Sequence, residues 1–154
     1  MLKTLRSIFH PPRPVSEPRL HKRFEASDKP IAAEAVAEDG GWRTDFADKG
    51  TMRLFEIDGA GLENCMLTYR AQIKSERLSR GAYLEMWCRF PALGEFFSRG
   101  LHNRVSGTTS WSSYETPFYL KQGQRPDMLK LNLVAEGPGT LWIRDIEVPW
   151  TPLA

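Results

Sequence analysis

The chain has 154 residues, of which 41% are hydrophobic and 26% are charged, a composition typical of a globular domain. No run of about 18 apolar residues occurs, which excludes an ordinary transmembrane helix. The net charge of +2 is unevenly distributed, because residues 1–30 carry +4 and the rest of the chain carries −2. Since the body of the chain is nearly neutral, we expect no nucleic-acid partner.

Residues 1–30 form a basic segment that holds five of the eleven prolines and no glycine, which predicts a flexible arm. Ahead of the prolines, hydrophobic residues recur at helical spacing: Leu2, Leu5, Ile8 and Phe9. This pattern fits a short amphipathic helix that makes peripheral membrane contact through residues 2–9 or docks on a partner. It also fits the start of a transit peptide or a frayed terminus. Because the apolar stretch of a secretory signal is missing, we expect a cytoplasmic protein.

Two cysteines, Cys65 and Cys88, would allow one disulfide. Both lie in strand-like runs of the sequence. In the absence of an export signal we expect reduced thiols that pack as small buried hydrophobic side chains.

From residue 31 onward the sequence pattern is typical of an all-β protein. All twelve glycines lie between Gly40 and Gly139, where they separate short apolar, β-branched and aromatic segments. The predicted strands are 31–37, 51–57, 65–74, 82–90, 95–99, 112–120, 128–136 and 140–148. Evenly spaced strands with one long connection, residues 100–111, predict an all-β, two-sheet antiparallel jelly-roll sandwich over residues 31–154.

Alternating hydrophobicity assigns the two faces of each strand. In strand 82–90 one set is apolar: Leu84, Met86, Cys88 and Phe90. The other set of that strand is Tyr83, Glu85, Trp87 and Arg89. Because alternate strands of a jelly roll lie in opposite sheets, we expect 82–90 to pair with 128–136, and 65–74 to pair with 112–120.

The last third of the chain follows a series of motifs. A Gly-Thr-x-x-Trp entry is formed by Gly107, Thr108 and Trp111, and the strand after it ends in Phe118 and Leu120. An apolar strand, Leu129–Leu133, precedes a last strand with Trp142, Ile143 and Asp145. This series resembles galactose-binding-domain-like jelly rolls, which include carbohydrate-binding modules and a mitochondrial complex I assembly-factor domain. The resemblance implies a jelly-roll fold and a binding function whose ligand differs among members.

Many of these modules carry paired aspartates in the last strand, one of which helps to hold a structural calcium. Here Arg144 precedes Asp145, so the pair is broken. The resemblance implies a calcium site only if Asp145 finds further oxygen ligands, such as Glu34, and the alternative is an ion pair with a neighbouring arginine. We expect no other cofactor, because the three histidines are far apart and no Cys-x-x-Cys spacing occurs.

Sequence signals for catalysis are weak. The chain has no Gly-x-Ser-x-Gly motif and no glycine-rich phosphate loop. Glycoside hydrolysis needs two carboxylates about 5–9.5 Å apart, and Glu85 has no second carboxylate on its own strand face. Only neighbouring strands could supply one, as Glu95 or Glu136. We therefore predict that the protein is not an enzyme.

The remaining chemistry is a binding surface on one sheet. The predicted ligand-binding residues are Tyr83, Glu85, Trp87, Arg89, Lys130 and Asn132. An exposed tryptophan stacks on the apolar face of a sugar, and the polar groups bind its hydroxyls; the same residue types dominate protein interfaces. We predict a non-catalytic binding module, and carbohydrate is the ligand that we consider first. The alternatives are a protein–protein interaction or assembly module of a larger complex, membrane-associated or not, and a face covered by other parts of the chain.

Overall fold

The computed structural model describes residues 16–59 and 61–154. The strands of this part of the chain are β1 (Arg19–Arg23), β2 (Val36–Glu38), β3 (Gly41–Phe46), β4 (Gly50–Asp58), β5 (Cys65–Phe90), β6 (Gly94–Arg99), β7 (Val105–Leu120), β8 (Met128–Ala135) and β9 (Gly139–Pro152). Within the described residues no helix is long and apolar enough to cross a membrane.

The strands form two antiparallel layers that share β5. In the first layer, here called the Trp87 sheet, residues 82–90 of β5 lie between β6 and β8, and β4 follows β8. In the second, the Trp142 sheet, residues 65–76 of β5 lie between β7 and β9. The other side of β9 pairs with β3 and β1, and β2 pairs with β3. The predicted two-sheet jelly-roll sandwich and both predicted strand pairings are confirmed.

Strand β5 passes from one layer to the other through a bend near Leu78. Arg77 has a positive φ of 52°, and the register with β7 shifts on both sides of Leu78. At the β8–β9 turn, a Cβ on Gly139 would lie 2.5 Å from the Leu78 Cα, so only glycine lets the turn approach the bend this closely. The prediction of two separate strands at 65–74 and 82–90 is wrong, because the polar residues between them keep pairing with β7 and β9.

Alternation along the strands fills a single core between the layers. The Trp87 sheet contributes Leu84, Met86, Cys88, Leu129, Leu131 and Leu133 to this core. The Trp142 sheet contributes Leu67, Tyr69, Ile73, Leu141 and Ile143. At one edge Phe55 stacks on Phe24, with ring centroids 3.8 Å apart, and meets Trp42 edge-on at 5.4 Å. Truncating such a side chain to alanine costs about 2–5 kcal/mol, so the facing of each strand is strongly determined.

Both cysteines are free and buried. Burial raises the pKa of the Cys65 thiol to about 11. Burial, with a smaller effect of Cys65, raises the pKa of the Cys88 thiol to about 12. The prediction of buried thiols that pack as small hydrophobic side chains is confirmed.

Two strands lie where none was predicted. Arg19–Arg23, inside the segment predicted as a flexible arm, pairs with β9 as an edge strand, and Phe24 beside it is buried. Gly41–Phe46 pairs with β2 and β9. Arg19–Arg23 is short and mostly basic, so its sequence carries little β-signal. Gly41–Phe46 is short but does carry such a signal, because Trp42, Thr44 and Phe46 alternate with polar residues. The predicted amphipathic segment of residues 2–9 lies outside the described residues.

Two predicted boundaries are wrong. Of the predicted strand 31–37 only Val36 and Ala37 lie in a strand, β2. Ile31 and Ala32 instead donate single backbone hydrogen bonds of 2.8 and 3.1 Å to the edge of β4. The predicted connection 100–111 is also too long, because β7 begins at Val105. The first residues of β7 are mostly small and polar, so the sequence did not indicate a strand there. These residues pair with the bend of β5.

Candidate functional site

The predicted ligand-binding residues lie on the outer face of the Trp87 sheet, where the register arranges them in rows across the strands. In order across β6, β5, β8 and β4, one row is Arg99, Glu85, Asn132 and Arg53. The neighbouring row is Phe97, Trp87, Lys130 and Glu56. Residues that face each other on adjacent strands have Cβ atoms about 4.5–5.5 Å apart, so each row is a chain of side chains in contact distance.

The Glu85 carboxylate is the centre of a hydrogen-bond network, although it belongs to the outward-facing set of β5. Its Oε1 accepts hydrogen bonds from Trp87 Nε1 at 2.9 Å and from Asn132 Nδ2 at 2.8 Å. Its Oε2 accepts one from Arg99 Nε at 2.6 Å. Glu85 is only 4% exposed, and three donors are what a buried carboxylate requires.

The network extends to β4, because Asn132 Oδ1 accepts a hydrogen bond from Arg53 Nε at 2.6 Å. Arg53 in turn donates to Glu56 at 2.9 Å. Asn132 is 1% exposed, so both its amide oxygen and its amide nitrogen are occupied by neighbours on the sheet. The row therefore links all four strands of the Trp87 sheet through polar side chains.

Two opposing effects set the pKa of Glu85. Burial by itself raises this pKa, but the hydrogen bonds from Asn132, Arg99 and Trp87 together hold it below its ordinary value. The carboxylate is therefore ionised at neutral pH. A general acid needs a raised pKa, so the environment of Glu85 suits a fixed hydrogen-bond acceptor and not a proton donor.

The two carboxylates that could have assisted Glu85 in glycoside hydrolysis are engaged in ion pairs. Glu95 pairs with Lys130. Glu136 lies 2.9 Å from Arg104 Nε. Both carboxylates are therefore paired with cations, as Glu85 is with Arg99.

The indole of Trp87 is fixed from two sides. The hydrogen bond from the indole N–H to Glu85 sets the ring orientation. The ring of Phe97 packs against the indole, with centroids 5.1 Å apart. The Arg99 guanidinium lies 3.9 Å from the Phe97 centroid, so the cation packs between Phe97 and the Glu85 carboxylate. Trp87 itself is half-buried, and the remaining part of its ring is available to a ligand.

Two cationic residues of the predicted site are also paired. Arg89 donates to both carboxylate oxygens of Asp127, at 2.9 and 3.2 Å, and this hydrogen bonding raises the Arg89 pKa above its ordinary value. Lys130 pairs with Glu95. These pairs form a polar rim around Trp87.

Tyr83 lies at the other end of the same face of β5. The guanidinium of Arg104 is 5.8 Å from the Tyr83 ring centroid. Burial raises the pKa of the Tyr83 hydroxyl above its ordinary value. The sheet therefore brings all six predicted residues to one face. It differs from the prediction in that Glu85 and Asn132 are buried and bound to neighbours instead of being open to a ligand.

The sequence prediction missed three members of this face: Phe97, Arg99 and Arg53. A signal for two of them was present, because the connection at residues 91–93 is short enough for a hairpin between β5 and β6. Pairing that hairpin places Phe97 opposite Trp87 and Arg99 opposite Glu85. Arg53 had no local signal, since its pairing with Asn132 joins residues 79 positions apart.

The residue considered for a structural calcium, Asp145, lies at a bulge of β9. It has a positive φ of 53°, and its carboxylate is 3.7 Å from Arg144. In the described part of the chain no group of three or more His, Cys, Asp or Glu side chains could hold a metal ion. The calcium site stays a prediction.

No protein-family model matches the sequence, and no curated protein matches it. Solved structures are similar to the chain. A domain described as the CBM22-1 xylan-binding domain from Paenibacillus barcinonensis Xyn10C has a TM-score of 0.56 at 8% identity, covering 91% of this chain and 99% of that chain. A family 16 carbohydrate-binding module has a TM-score of 0.50 at 12% identity, covering 77% of this chain and 82% of that chain. The fold is a β-sandwich shared with carbohydrate-binding modules.

Proposed function

We propose that the protein is a non-catalytic carbohydrate-binding module and that the outer face of the Trp87 sheet is its binding surface. The observation that carries the proposal is the fixed, half-buried indole of Trp87, held by Glu85 and Phe97 in a field of polar side chains. Sugars have apolar ring faces that stack on aromatic rings and hydroxyls that need hydrogen bonds. The shared fold with a xylan-binding domain supports the same interpretation.

The proposed roles divide the face into contacting and positioning residues. Trp87 stacks on one sugar ring, and the ion pairs of Arg89 and Lys130 bind hydroxyl groups at the rim. Tyr83 lies four residues along the same face of β5, about 13 Å from Trp87 at roughly 3.3 Å per residue, which suits an extended oligosaccharide. Glu85 and Asn132 are positioning residues, because their polar atoms are already bound within the sheet.

Such a surface binds with little reorganisation. The rings and guanidinium groups of the face are held by hydrogen bonds and packing before any ligand arrives. Ordering a free side chain on binding costs about 0.5–1.5 kcal/mol, so fixing Trp87 and Arg99 in advance lowers the cost of association.

The test is a titration of the protein against a panel of neutral oligosaccharides and soluble polysaccharides, including xylohexaose. We expect saturable binding that weakens about tenfold or more in Trp87→Ala, because the stacking surface is lost. The matched control is Trp142→Ala, since Trp142 is also half-buried and hydrogen-bonded, to Glu38 at 2.6 Å, but lies on the opposite sheet. Thermal unfolding of each variant shows that it is folded.

The outcomes separate the proposal from its alternatives. No binding by the parent protein across the panel would refute carbohydrate binding. Binding that weakens in Trp142→Ala and persists in Trp87→Ala would keep the function but place the site on the other sheet.

A second candidate function, contact with a protein partner, is favoured by one observation. The β5–β6 hairpin exposes large apolar side chains: Leu93 at 69%, Phe96 at 51% and Phe97 at 49%. Neighbouring exposed apolar residues are a mark of interaction surfaces. In that case Phe96→Ser abolishes co-purification of a partner from cell extract, whereas sugar binding through Trp87 predicts no effect of this substitution on a glycan titration.

A further inference from the structure

A pocket lies beside the proposed binding face, at the end marked by Tyr83. Its volume is about 540 Å³. The residues that line it are Lys49, Gly50, Thr51, Arg80, Tyr83, Val134, Ala135 and Glu136. Tyr83 belongs to both the face and the pocket, so a ligand that extends along β5 from Trp87 reaches the pocket without a break.

Two cations of the pocket lining, Lys49 and Arg80, have no ion-pair partner among the described residues. Among these residues, neither the Lys49 ammonium nor the Arg80 guanidinium has an ion pair or side-chain hydrogen bond. Glu136, the acidic residue of the lining, is paired with Arg104 at 2.9 Å. The nearby Asp48 uses its Oδ1 to accept the backbone N–H of Lys49 at 2.7 Å.

The backbone around the pocket keeps Glu136 turned toward Arg104. A Cβ on Gly81 would lie 2.7 Å from Glu136 Oε1 and 2.8 Å from Arg104 Cδ. The ion pair therefore packs directly over Gly81, and the backbone N–H of Glu136 donates to the Gly81 carbonyl at 2.9 Å. With Glu136 held in this way, Lys49 and Arg80 remain as the cations available to a ligand.

We infer that this pocket binds an anionic group on the saccharide, either the carboxylate of a uronic acid or a sulfate ester. Both groups offer several acceptor oxygens to a lysine and an arginine, and the phenol ring of Tyr83 packs against the sugar that carries them. The inference rests on the proposed function, because it assigns the rest of the ligand to the Trp87 face. It narrows the ligand class from carbohydrate in general to acidic glycans.

The test uses matched pairs of polysaccharides that differ in charge: xylan with glucuronoxylan, methyl-esterified polygalacturonan with polygalacturonate, and dextran with dextran sulfate. We expect the charged member of a pair to bind about tenfold more tightly, with an advantage that falls as NaCl is raised from about 50 to 500 mM. The first two pairs probe a carboxylate and the third probes a sulfate. The double variant Lys49→Gln/Arg80→Gln should lose the advantage and keep the affinity for the neutral member.

The matched control is Lys121→Gln, which removes an exposed lysine at the opposite end of the Trp142 sheet and should change neither affinity. Equal binding of neutral and charged members by the parent protein would overturn the inference and leave the proposed function standing. A charge preference that survives in the double variant would also overturn it, since the preference would then be non-specific. No binding of any polymer would overturn the inference and the proposed function together.

Discussion

The sharpest prediction of the structure concerns Glu85→Gln, which keeps the shape of the side chain and removes its charge. The amide oxygen can still accept from Trp87 and Asn132, as Oε1 does in the parent. The amide nitrogen, however, replaces the acceptor that Arg99 Nε contacts at 2.6 Å, and two donors then face each other. One charge-assisted hydrogen bond is lost and the other two remain.

The size of the change in the free energy of unfolding depends on how deeply the hydrogen-bond partners of Glu85 are buried. A hydrogen bond to a charged group contributes about 1.5–3 kcal/mol. The Arg99 side chain is 34% exposed and can turn to water, so we expect a loss of about 1–2 kcal/mol in the free energy of unfolding. Glu85→Ala removes both acceptor oxygens, and with them all three hydrogen bonds, and leaves the buried amide of Asn132 without this acceptor. The loss in the free energy of unfolding should therefore reach about 3–5 kcal/mol.

The effect depends on pH in a defined direction. The folded-state pKa of Glu85 lies below its ordinary value of 4.5. Its contribution is therefore fully present above pH 4.5 and is lost as the pH falls through the folded-state pKa. The difference in unfolding free energy between parent and Glu85→Gln should be largest near pH 7 and should shrink at acidic pH.

Urea denaturation at several pH values between about 3 and 8 measures this difference directly. Carboxylates elsewhere titrate equally in both proteins and cancel in the comparison. Glu115→Gln, on the exposed side of β7, is the matched control and should leave stability unchanged at every pH. A difference that stays constant or grows on acidification would refute the ionised, hydrogen-bonded state of Glu85.

Three further predictions test the packing of the sandwich. The Tyr69 hydroxyl is buried without a hydrogen-bond partner among the described residues, so Tyr69→Phe should raise the free energy of unfolding by about 1 kcal/mol in urea titrations. A Cβ on Gly41 would lie 2.1 Å from a carbonyl oxygen of β9, whereas one on Gly50 has its nearest neighbours at 3.7 Å. Gly41→Ala should therefore lower the melting temperature strongly, and Gly50→Ala should not. Cys65 and Cys88, with pKa values of about 11 and 12, should resist a thiol reagent at pH 8 in the native state and react fully in urea.

The sandwich could be predicted from sequence because alternation is a local signal that carries the facing of each strand. Leu84, Met86 and Cys88 alternate with polar and aromatic residues, and this pattern correctly identified the core side of β5. The path of β5 between the layers had no such signal. The bend at Leu78 depends on pairing with β7 and on the approach of Gly139, which are contacts between residues far apart in sequence.

The residues of the proposed binding face could be predicted from sequence, but the hydrogen bonds among them could not. Trp87 and Glu85 stand two residues apart on β5, and period-2 alternation is enough to place them side by side. The Glu85 carboxylate is open to a ligand only if its oxygens are not hydrogen-bonded within the sheet. Here they are, because Arg99 on β6 and Asn132 on β8 donate to them. These contacts are set by strand register. Pairing β5 with β6 as a hairpin would have predicted the contact of Glu85 with Arg99 but not its contact with Asn132.

The burial of Glu85 has a consequence for the proposed function. Buried polar networks are often no more stabilising than well-packed apolar side chains of similar size, so the network is not needed for stability alone. Its distinctive effect is positional, because it fixes the N–H of Trp87 and the guanidinium of Arg99 at the surface. The double variant Glu85→Met/Asn132→Leu should therefore be more stable than Glu85→Ala and yet bind the best glycan of the panel about tenfold more weakly.

Paired measurements of urea stability and glycan affinity decide this point. Loss of affinity with stability retained is the expected result, since Trp87 keeps its stacking surface but loses the bond that orients it. Parental affinity in the double variant would show that the network serves the fold and not the site. Restoring Glu85 alone, in the single variant Asn132→Leu, should recover part of the affinity, because the hydrogen bond from Trp87 returns without the one from Asn132.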